Sequence, residues 1–464
     1  MKLSHQLLKS IAPDAYFLKS DVCDTVDYFF SVDSRTITKQ ELFVPVKGAH
    51  VDGHQFLSQA LKNGAGALIA KKQLSYLNEV LLSVPQDALI IVCDNPELLF
   101  FELTSAWRAR FTFPVVGITG SVGKTSTKAL LARMLKDSGK NYFVAEGNQN
   151  TLIGVSLNIA HLNDSHEGAL FECGISQPGE MARIAAQLQP TTGIITTIGH
   201  SHAEGIGNVD AIAIEKKALF KWFKETNIGI IQGDISSLSK CSYAHPVIRF
   251  GAKTINQVQV RRVTIDDEGV CSFILKLYGK QYPISVRNGH SGCVTIIAAA
   301  AAAAYYLGVS PEIIARVAQE PFLPERRFEK RMLKGYQGYI IDDAYIASPE
   351  SMKTALLAFE KIKSLGGKKI AVLGDMLELG QSSPFWHRQI GRFLRKVPSL
   401  TKLILVGNQV QWIRKTVPLH VSVDVVDTWQ DALGVLESNL NDGDIVLVKG
   451  SNGMNLGKLV DACC

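Results

Sequence analysis

The segment from Val115 to Leu135, VVGITGSVGKTSTKALLARML, constrains this chain more than any other stretch. A short β-branched apolar run closes on glycines, and a helical apolar pattern begins directly after them. That is a strand, a tight turn and a helix. Glycines let the backbone curl so that successive N–H groups aim at one anion, and the helix N-terminus adds its partial positive charge. Gly120, Ser121, Val122, Gly123, Lys124, Thr125 and Ser126 therefore read as a phosphate-binding turn. Lys124 would reach the β- and γ-phosphates of a nucleotide, and the Thr125 hydroxyl would ligate Mg²⁺. The common spacing G-x-x-x-x-G-K-[ST] is not met, because position 118 is Ile and the glycine sits at 117. An ordinary strand-to-helix turn is the bland alternative.

Such a turn belongs to α/β folds, and the remaining texture agrees. The chain has 464 residues, enough for about three domains. Residues 1–110 alternate short apolar strands with helix-like runs. Residues 111–322 carry the glycine turn and then ALFECGI and TTGIITTI, separated by helical patterns. Strand–helix alternation of this kind predicts a parallel sheet covered on both faces. Residues 246–287 read instead as short alternating strands at an antiparallel edge. Residues 323–464 repeat the α/β texture with YIIDD, KKIAVLGD, KLILVG and DIVLVKG. Three α/β domains are expected, 1–110, 111–322 and 323–464, the central one built on the parallel sheet and the last Rossmann-like.

Composition excludes several classes. With 46% hydrophobic and 20% charged residues, the chain is neither disordered nor fibrous. A net charge of +6 is too small for a dedicated nucleic-acid binder. MKLSHQLLKSIAPDAYFL lacks the apolar core and cleavage site of a secretory signal. The longest apolar stretch, near Val294–Leu307, contains seven consecutive alanines and is too short for a membrane span, so it reads as a buried helix. Eight scattered cysteines with no C-x-x-C pair fit reduced thiols in the cytoplasm.

Other polar groups fall near strand ends, where ligands bind in α/β sheets. Glu172 closes ALFE and is a candidate Mg²⁺ carboxylate or a solvated cap. His200 and His202 sit in the loop TTIGHSHAEGIG, as a metal pair or as polar surface. Asn148 and Asn150 in GNQNTLIG can hold substrate oxygens or cap the next helix. IIDDAYIASP ends in paired acids, and VLGDMLELG carries Asp375 and Glu378. Such acids are as readily helix caps as ligands.

Taken together and in order, these motifs resemble the Mur ligase family of ATP-dependent amide-forming enzymes of peptidoglycan precursor synthesis. The resemblance covers nearly the whole chain. DSRT and DGH near the start resemble the family's uridine-nucleotide domain, and GITGSVGKTSTK its variant of the phosphate loop. IDDAYIASPESMKTAL and VLGDMLELG resemble the branch that adds D-alanyl-D-alanine to a UDP-muramoyl tripeptide. The resemblance implies ATP phosphates on Lys124, one Mg²⁺ on Thr125 and Glu172, and a second on His202. It implies a carbamylated Lys216 as a further metal ligand, with neighbouring Lys217 leaving that register open. It places Ser34, Arg35, Asp52, Gly53 and His54 on the uridine nucleotide. Asn148, Arg327 and Asp343 fall on the ATP side, and Asn150, Thr151, Tyr345 and Lys449 on the substrate side.

The chain departs from the family pattern at Ile346, Ser348 and Thr151, and around His290–Val294, where amides that help to hold substrate and adenine are replaced. The implied reaction phosphorylates the tripeptide carboxyl and then lets the dipeptide amine displace phosphate. Small-molecule substrates, a monomer, and no nucleic acid or membrane partner are expected. The rivals are another ligase of the superfamily, such as a tripeptide-forming or folylpolyglutamate-type enzyme, and a nucleotide-binding regulator that forms no amide.

Overall fold

The computed structural model describes residues 1–18, 25–27, 29–39, 41–48, 51–82, 88–147, 149–201, 203–266, 268–287, 290–321, 324–364 and 366–464. The chain divides into two compact units. The first comprises residues 1–116, 141–173 and 183–190, and the second residues 117–140, 174–182 and 191–464.

The first unit opens with β1 (Lys2–Ser4), β2 (Tyr16–Leu18), β3 (Thr25–Asp27), β4 (Phe29–Ser31), β5 (Glu41–Phe43), β6 (Ala67–Lys71) and β7 (Leu89–Cys93). β1 and β3 form an antiparallel pair, and the others make a sheet in the order β2-β7-β6-β5-β4. Only the β2 edge is antiparallel. Phe43, Leu57, Leu68, Ile90 and Val92 pack into one apolar cluster. Helix Pro96–Arg108 starts where the local chemistry demands: the Asn95 side chain accepts the Leu98 N–H, and Pro96 takes the first turn, where no donor is needed. β9 (Tyr142–Val144) and β10 (Gly168–Glu172) add a parallel pair to this unit.

β8 (Val115–Thr119) leads into the second unit, followed by β11 (Thr192–Ile195), β12 (Ile228–Gln232), β13 (Val247–Gly251), β14 (Val258–Ile265), β15 (Cys271–Leu277) and β16 (Lys280–Val286). Their order is β16-β15-β14-β13-β12-β11-β8. The antiparallel edge read from residues 246–287 is present in β14 to β16, but β13 pairs in parallel with both its neighbours. Behind this sheet lies helix Ser291–Tyr306, whose residues Ala298–Ala304 are at most 1% exposed. It packs on helix Lys124–Asp137. Alanine gives good helix propensity with little bulk, so the two axes approach closely.

The carboxyl-terminal sheet is built from β17 (Glu329–Met332), β18 (Tyr339–Asp343), β19 (Lys369–Gly374), β20 (Leu400–Val406), β21 (Ser422–Val426) and β22 (Ile445–Lys449), in the order β17-β18-β22-β19-β20-β21. All pairs except β17–β18 are parallel. The two faces alternate along each strand. Ala371, Leu373, Leu403 and Leu405 join Leu356 and Ile390 on one side, and Ile370, Val372, Ile404 and Val406 join Leu436 and Leu459 on the other. This two-sided cover explains the near-continuous apolar strands seen in the sequence. Among the described residues no helix is long and apolar enough to cross a membrane, and the described cysteines are free thiols.

Candidate functional site

The glycine turn sits at the carboxyl end of β8 in the second unit. Gly120 has φ +152°, and a Cβ there would lie 1.9 Å from Thr196 Oγ1. Gly123, at φ +89°, starts helix Lys124–Asp137. Both positions need glycine: one for closeness, the other for the left-handed backbone. The turn is tied to the loop after β11. Ser121 Oγ donates to the Gly199 carbonyl at 3.1 Å, and Thr196 Oγ1 donates to the Val122 carbonyl at 2.6 Å. Lys124 is buried and its Nζ donates to the Gly120 carbonyl at 2.9 Å.

A cavity of about 190 Å³ opens beside this turn. Val122, Gly123 and Ser126 line it from the turn, and Arg327, Asp343 and Lys449 from the carboxyl-terminal segment. Arg327 Nη2 donates to Thr125 Oγ1 at 3.1 Å, and the guanidinium lies 4.6 Å over the Tyr345 ring. Asp343 and Lys449 end the adjacent parallel strands β18 and β22 in register. Lys449 Nζ donates to Asp343 Oδ2 and to the Ile346 carbonyl, each at 2.7 Å. The neighbouring Asp342 is buried, which pushes its carboxyl up to about 6. His290 also lines the cavity, and burial pushes its imidazole down to about 4. Its Nδ1 accepts the Gly292 N–H at 3.0 Å, so it caps the alanine helix as a neutral ring.

His200 turns toward helix Pro349–Lys361, with Nδ1 2.5 Å from Glu350 Oε1 and its ring 4.1 Å from Trp386. Lys216, on helix Val209–Lys217, is fully buried, whereas Lys217 Nζ donates to Cys241 Sγ at 3.1 Å. His202 and Asn148 lie outside the described residues.

In the first unit, Glu172 is buried at the end of β10 and its Oε1 accepts from Asn150 Nδ2 at 3.1 Å. The Thr151 hydroxyl caps helix Leu152–Ile159, accepting the Gly154 N–H. A separate cavity of about 560 Å³ is lined by Lys47, Asp52, His54, Lys71 and Tyr76. Asp52 Oδ1 accepts the His54 N–H at 3.0 Å and lies 2.7 Å from His54 Nδ1, bonds that hold its carboxyl below the usual range. A Cβ on Gly53 would lie 2.7 Å from backbone atoms of Val46, so the turn closes only with glycine. Ser34 and Arg35 do not line this cavity. Ser34 Oγ donates to Gln59 Oε1 at 3.0 Å. Arg35 is 78% exposed and clasps Asp33, holding that carboxyl down to about 2. Lys71 and Tyr76 had no motif to announce them, and Lys47, between DSRT and DGH, and Glu350, within IDDAYIASPESMKTAL, were given no task there; the fold brings each of them in.

Three family models match the chain: the Mur ligase family catalytic domain over residues 28–99, the Mur ligase middle domain over 118–305 and the Mur ligase glutamate ligase domain over 326–452. A UDP-N-acetylmuramoyl-tripeptide–D-alanyl-D-alanine ligase of Bacillus subtilis is 31% identical over 94% of this chain and 93% of its own length. The ligase of that name from Escherichia coli is 27% identical over 82% of this chain and 81% of its own. Among solved structures, the MurF ligase of Thermotoga maritima in complex with ADP matches with a TM-score of 0.78 and 26% identity, over 94% of this chain and 96% of that one. MurF from Acinetobacter baumannii has the same fold, with a TM-score of 0.85 at 22% identity over 100% and 99% of the two chains.

Proposed function

This chain belongs to the Mur ligase family, and from that premise we propose that it joins D-alanyl-D-alanine to a UDP-N-acetylmuramoyl tripeptide with ATP. The observation that carries the reading is the cavity where the glycine turn meets Arg327, Asp343 and Lys449. A carboxylate is a poor acyl donor, so the tripeptide carboxyl must first take the γ-phosphoryl group, releasing ADP. The dipeptide amine then attacks the acyl phosphate and phosphate leaves. The turn N–H groups and Lys124 bind the phosphates, and Arg327, which already reaches Thr125, adds a second cation where negative charge crowds together. The acyl phosphate hydrolyses if water enters, so these contacts from the carboxyl-terminal segment also protect it.

The hydroxyl of Thr125 and the carboxylate of Glu172 are hard oxygen donors suited to Mg²⁺. We assign one ion to them and a second to His202 and a carbamylated Lys216. Mg²⁺ would supply charge neutralisation at the transferred phosphoryl group. The complete burial of Lys216 supports choosing it over Lys217, since an ammonium is costly to bury, and the carbamate anion that would replace it, with release of a proton, would be offset by Mg²⁺. The first-unit cavity holding Asp52 and His54 is assigned to the uridine nucleotide, with domains at 1–110, 111–322 and 323–464. A cytoplasmic monomer completes the reading.

The test offers purified protein UDP-muramoyl tripeptides carrying meso-diaminopimelate or L-lysine, with D-Ala-D-Ala and MgATP, and reads products by mass. Amide formation that needs all three substrates is expected. Phosphate release that proceeds without tripeptide or dipeptide would leave a nucleotide-hydrolysing regulator as the better account.

A further inference from the structure

The turn after β19 carries two acids, and the structure gives them different tasks. Asp375 is buried, and its two oxygens accept the N–H groups of Asn408 at 3.0 Å and Val410 at 2.8 Å. It holds the next loop. Glu378 is exposed and sits at φ +63°, a left-handed backbone that costs energy for a residue other than glycine. Three hydrogen bonds fix that turn. Met376 N–H donates to His387 Nε2 at 3.1 Å, Leu377 N–H donates to Ser451 Oγ at 3.0 Å, and the Glu378 carbonyl accepts the Glu204 N–H at 3.0 Å. His387 is fully buried, and its Nδ1 donates to the Ser383 carbonyl at 2.8 Å, which leaves Nε2 as the acceptor.

The turn faces a cavity of about 220 Å³ whose lining includes Ser121 and Lys124 of the phosphate loop, Ser201, Tyr345 and Glu378. Among the described residues lining it, Glu378 is the one carboxylate and Lys124 the one lysine or arginine. We propose that Glu378 binds the ammonium group of the incoming dipeptide and takes its proton. This rests on the ligase reading above. An α-amino group has an ordinary pKa of about 7.7–8.0, so near neutral pH most of it has no free lone pair. The Glu378 carboxylate accepts one proton from the ammonium. The freed nitrogen attacks the acyl carbon, the C–N bond forms, and the C–O bond to phosphate breaks with its electron pair leaving on phosphate. The second proton on nitrogen departs with the phosphate. Lys124 serves the anionic partner in the same cavity and Glu378 the cationic one. The left-handed turn is what brings the carboxylate there.

Glu378→Gln, Glu378→Asp and Glu204→Gln proteins test this by steady-state kinetics and by trapping the acyl phosphate with hydroxylamine in the absence of dipeptide. Glu204 is the control because the hydrogen bond it gives the turn comes from its backbone N–H, while its side chain passes Gly380 and borders the neighbouring open cleft. Glu378→Gln is expected to lower kcat/KM for D-Ala-D-Ala by about 10²-fold or more. KM for ATP should stay within about twofold, because the nucleotide's binding groups are untouched. Hydroxamate formation should be unchanged, since hydroxylamine is already neutral. The dipeptide defect should shrink toward about pH 9, where the amine loses its proton unaided, and Glu378→Asp should restore part of the rate. Unchanged dipeptide kinetics in Glu378→Gln would overturn the proposal. An equal loss of hydroxamate formation and melting temperature would do the same, as would a dipeptide defect confined to Glu204→Gln. A wild-type protein that forms neither hydroxamate nor amide overturns the ligase reading itself, and this proposal with it.

Discussion

Asp343→Ala should unfold the carboxyl-terminal sheet early, and the structure sets the size of the effect. Lys449 is 1% exposed, and its ammonium has two named partners, Asp343 Oδ2 and the Ile346 carbonyl, both at 2.7 Å. Removing the carboxylate leaves a buried charge on one neutral oxygen. Breaking one side of a buried pair costs about 3–5 kcal/mol. Asp343 itself is 18% exposed, so some water reaches the pair and the lower end, about 3 kcal/mol, is the better figure. At about 2–4 °C per kcal/mol, the transition should fall by roughly 6–12 °C. Scanning calorimetry without nucleotide reads it. The double variant Asp343→Ala/Lys449→Met no longer carries the buried ammonium that lost its carboxylate and should recover most of the loss while remaining inactive. A single variant melting within about 2 °C of wild type, or a double variant no better than the single, would refute the reasoning.

Three further outcomes follow from other parts of the structure. Gly120→Ala pushes a methyl group to 1.9 Å from Thr196 Oγ1, so the turn must shift, and calorimetric titration should show ADP binding weakened at least tenfold, about 1.4 kcal/mol. His54→Ala should raise KM for the UDP-linked substrate with KM for ATP nearly constant, whereas Arg35→Ala, outside that cavity, should do so far less; the reverse order would return the uridine site to Arg35. His290 has its imidazole pushed down to about 4 by burial, so the unfolded chain takes up its proton first and the folded state loses stability as pH falls from about 6.5 toward 4. That contribution is about 2 kcal/mol by pH 5 and should vanish in His290→Gln, read from urea midpoints at pH 7 and 5. Asp342, pushed up to about 6, acts in the opposite sense, which is why the variant and not the absolute slope is compared.

What the sequence made legible is what local chemistry decides. The phosphate turn needs glycine at 120 and 123 for reasons contained within a few residues, and the turn stands where VVGITGSVGKT puts it. The alanine run is a buried helix because seven small apolar residues have no polar face to show to water. The strands KIAVLG and IVLVK read as continuous apolar runs because helices cover both faces of their sheet. Where one side chain has two possible tasks, the sequence cannot choose. Asn150 can hold a substrate oxygen or cap a helix, and its Nδ2 donates to Glu172 Oε1, while the cap of the next helix is Thr151. Asp375 and Glu378 are three residues apart in one turn, yet one accepts two backbone N–H groups of the next loop and the other lines a cavity.

The second half of the nucleotide-side cavity was legible only through the family resemblance and not from local chemistry: its contacts join distant positions, and local preference opposes some of them. Arg327 meets Thr125 across 202 residues, and His200 meets Glu350 across 150. Arg326 and Phe328, on either side of Arg327, both hold positive φ, at +57° and +59°. Neither residue type favours that backbone, and a propensity argument would have drawn an extended or helical segment there. The surroundings override the local cost. Phe328 is buried, its ring 5.0 Å from His290, and Arg326 Nη2 donates to Asp461 Oδ2 at 2.6 Å. With both flanks pinned in this way, the guanidinium between them is carried to the phosphate loop. Backbone strain of about 1–3 kcal/mol per residue persists only where packing and hydrogen bonds over-determine the conformation. Here they do so on both sides of the arginine that reaches the Thr125 hydroxyl.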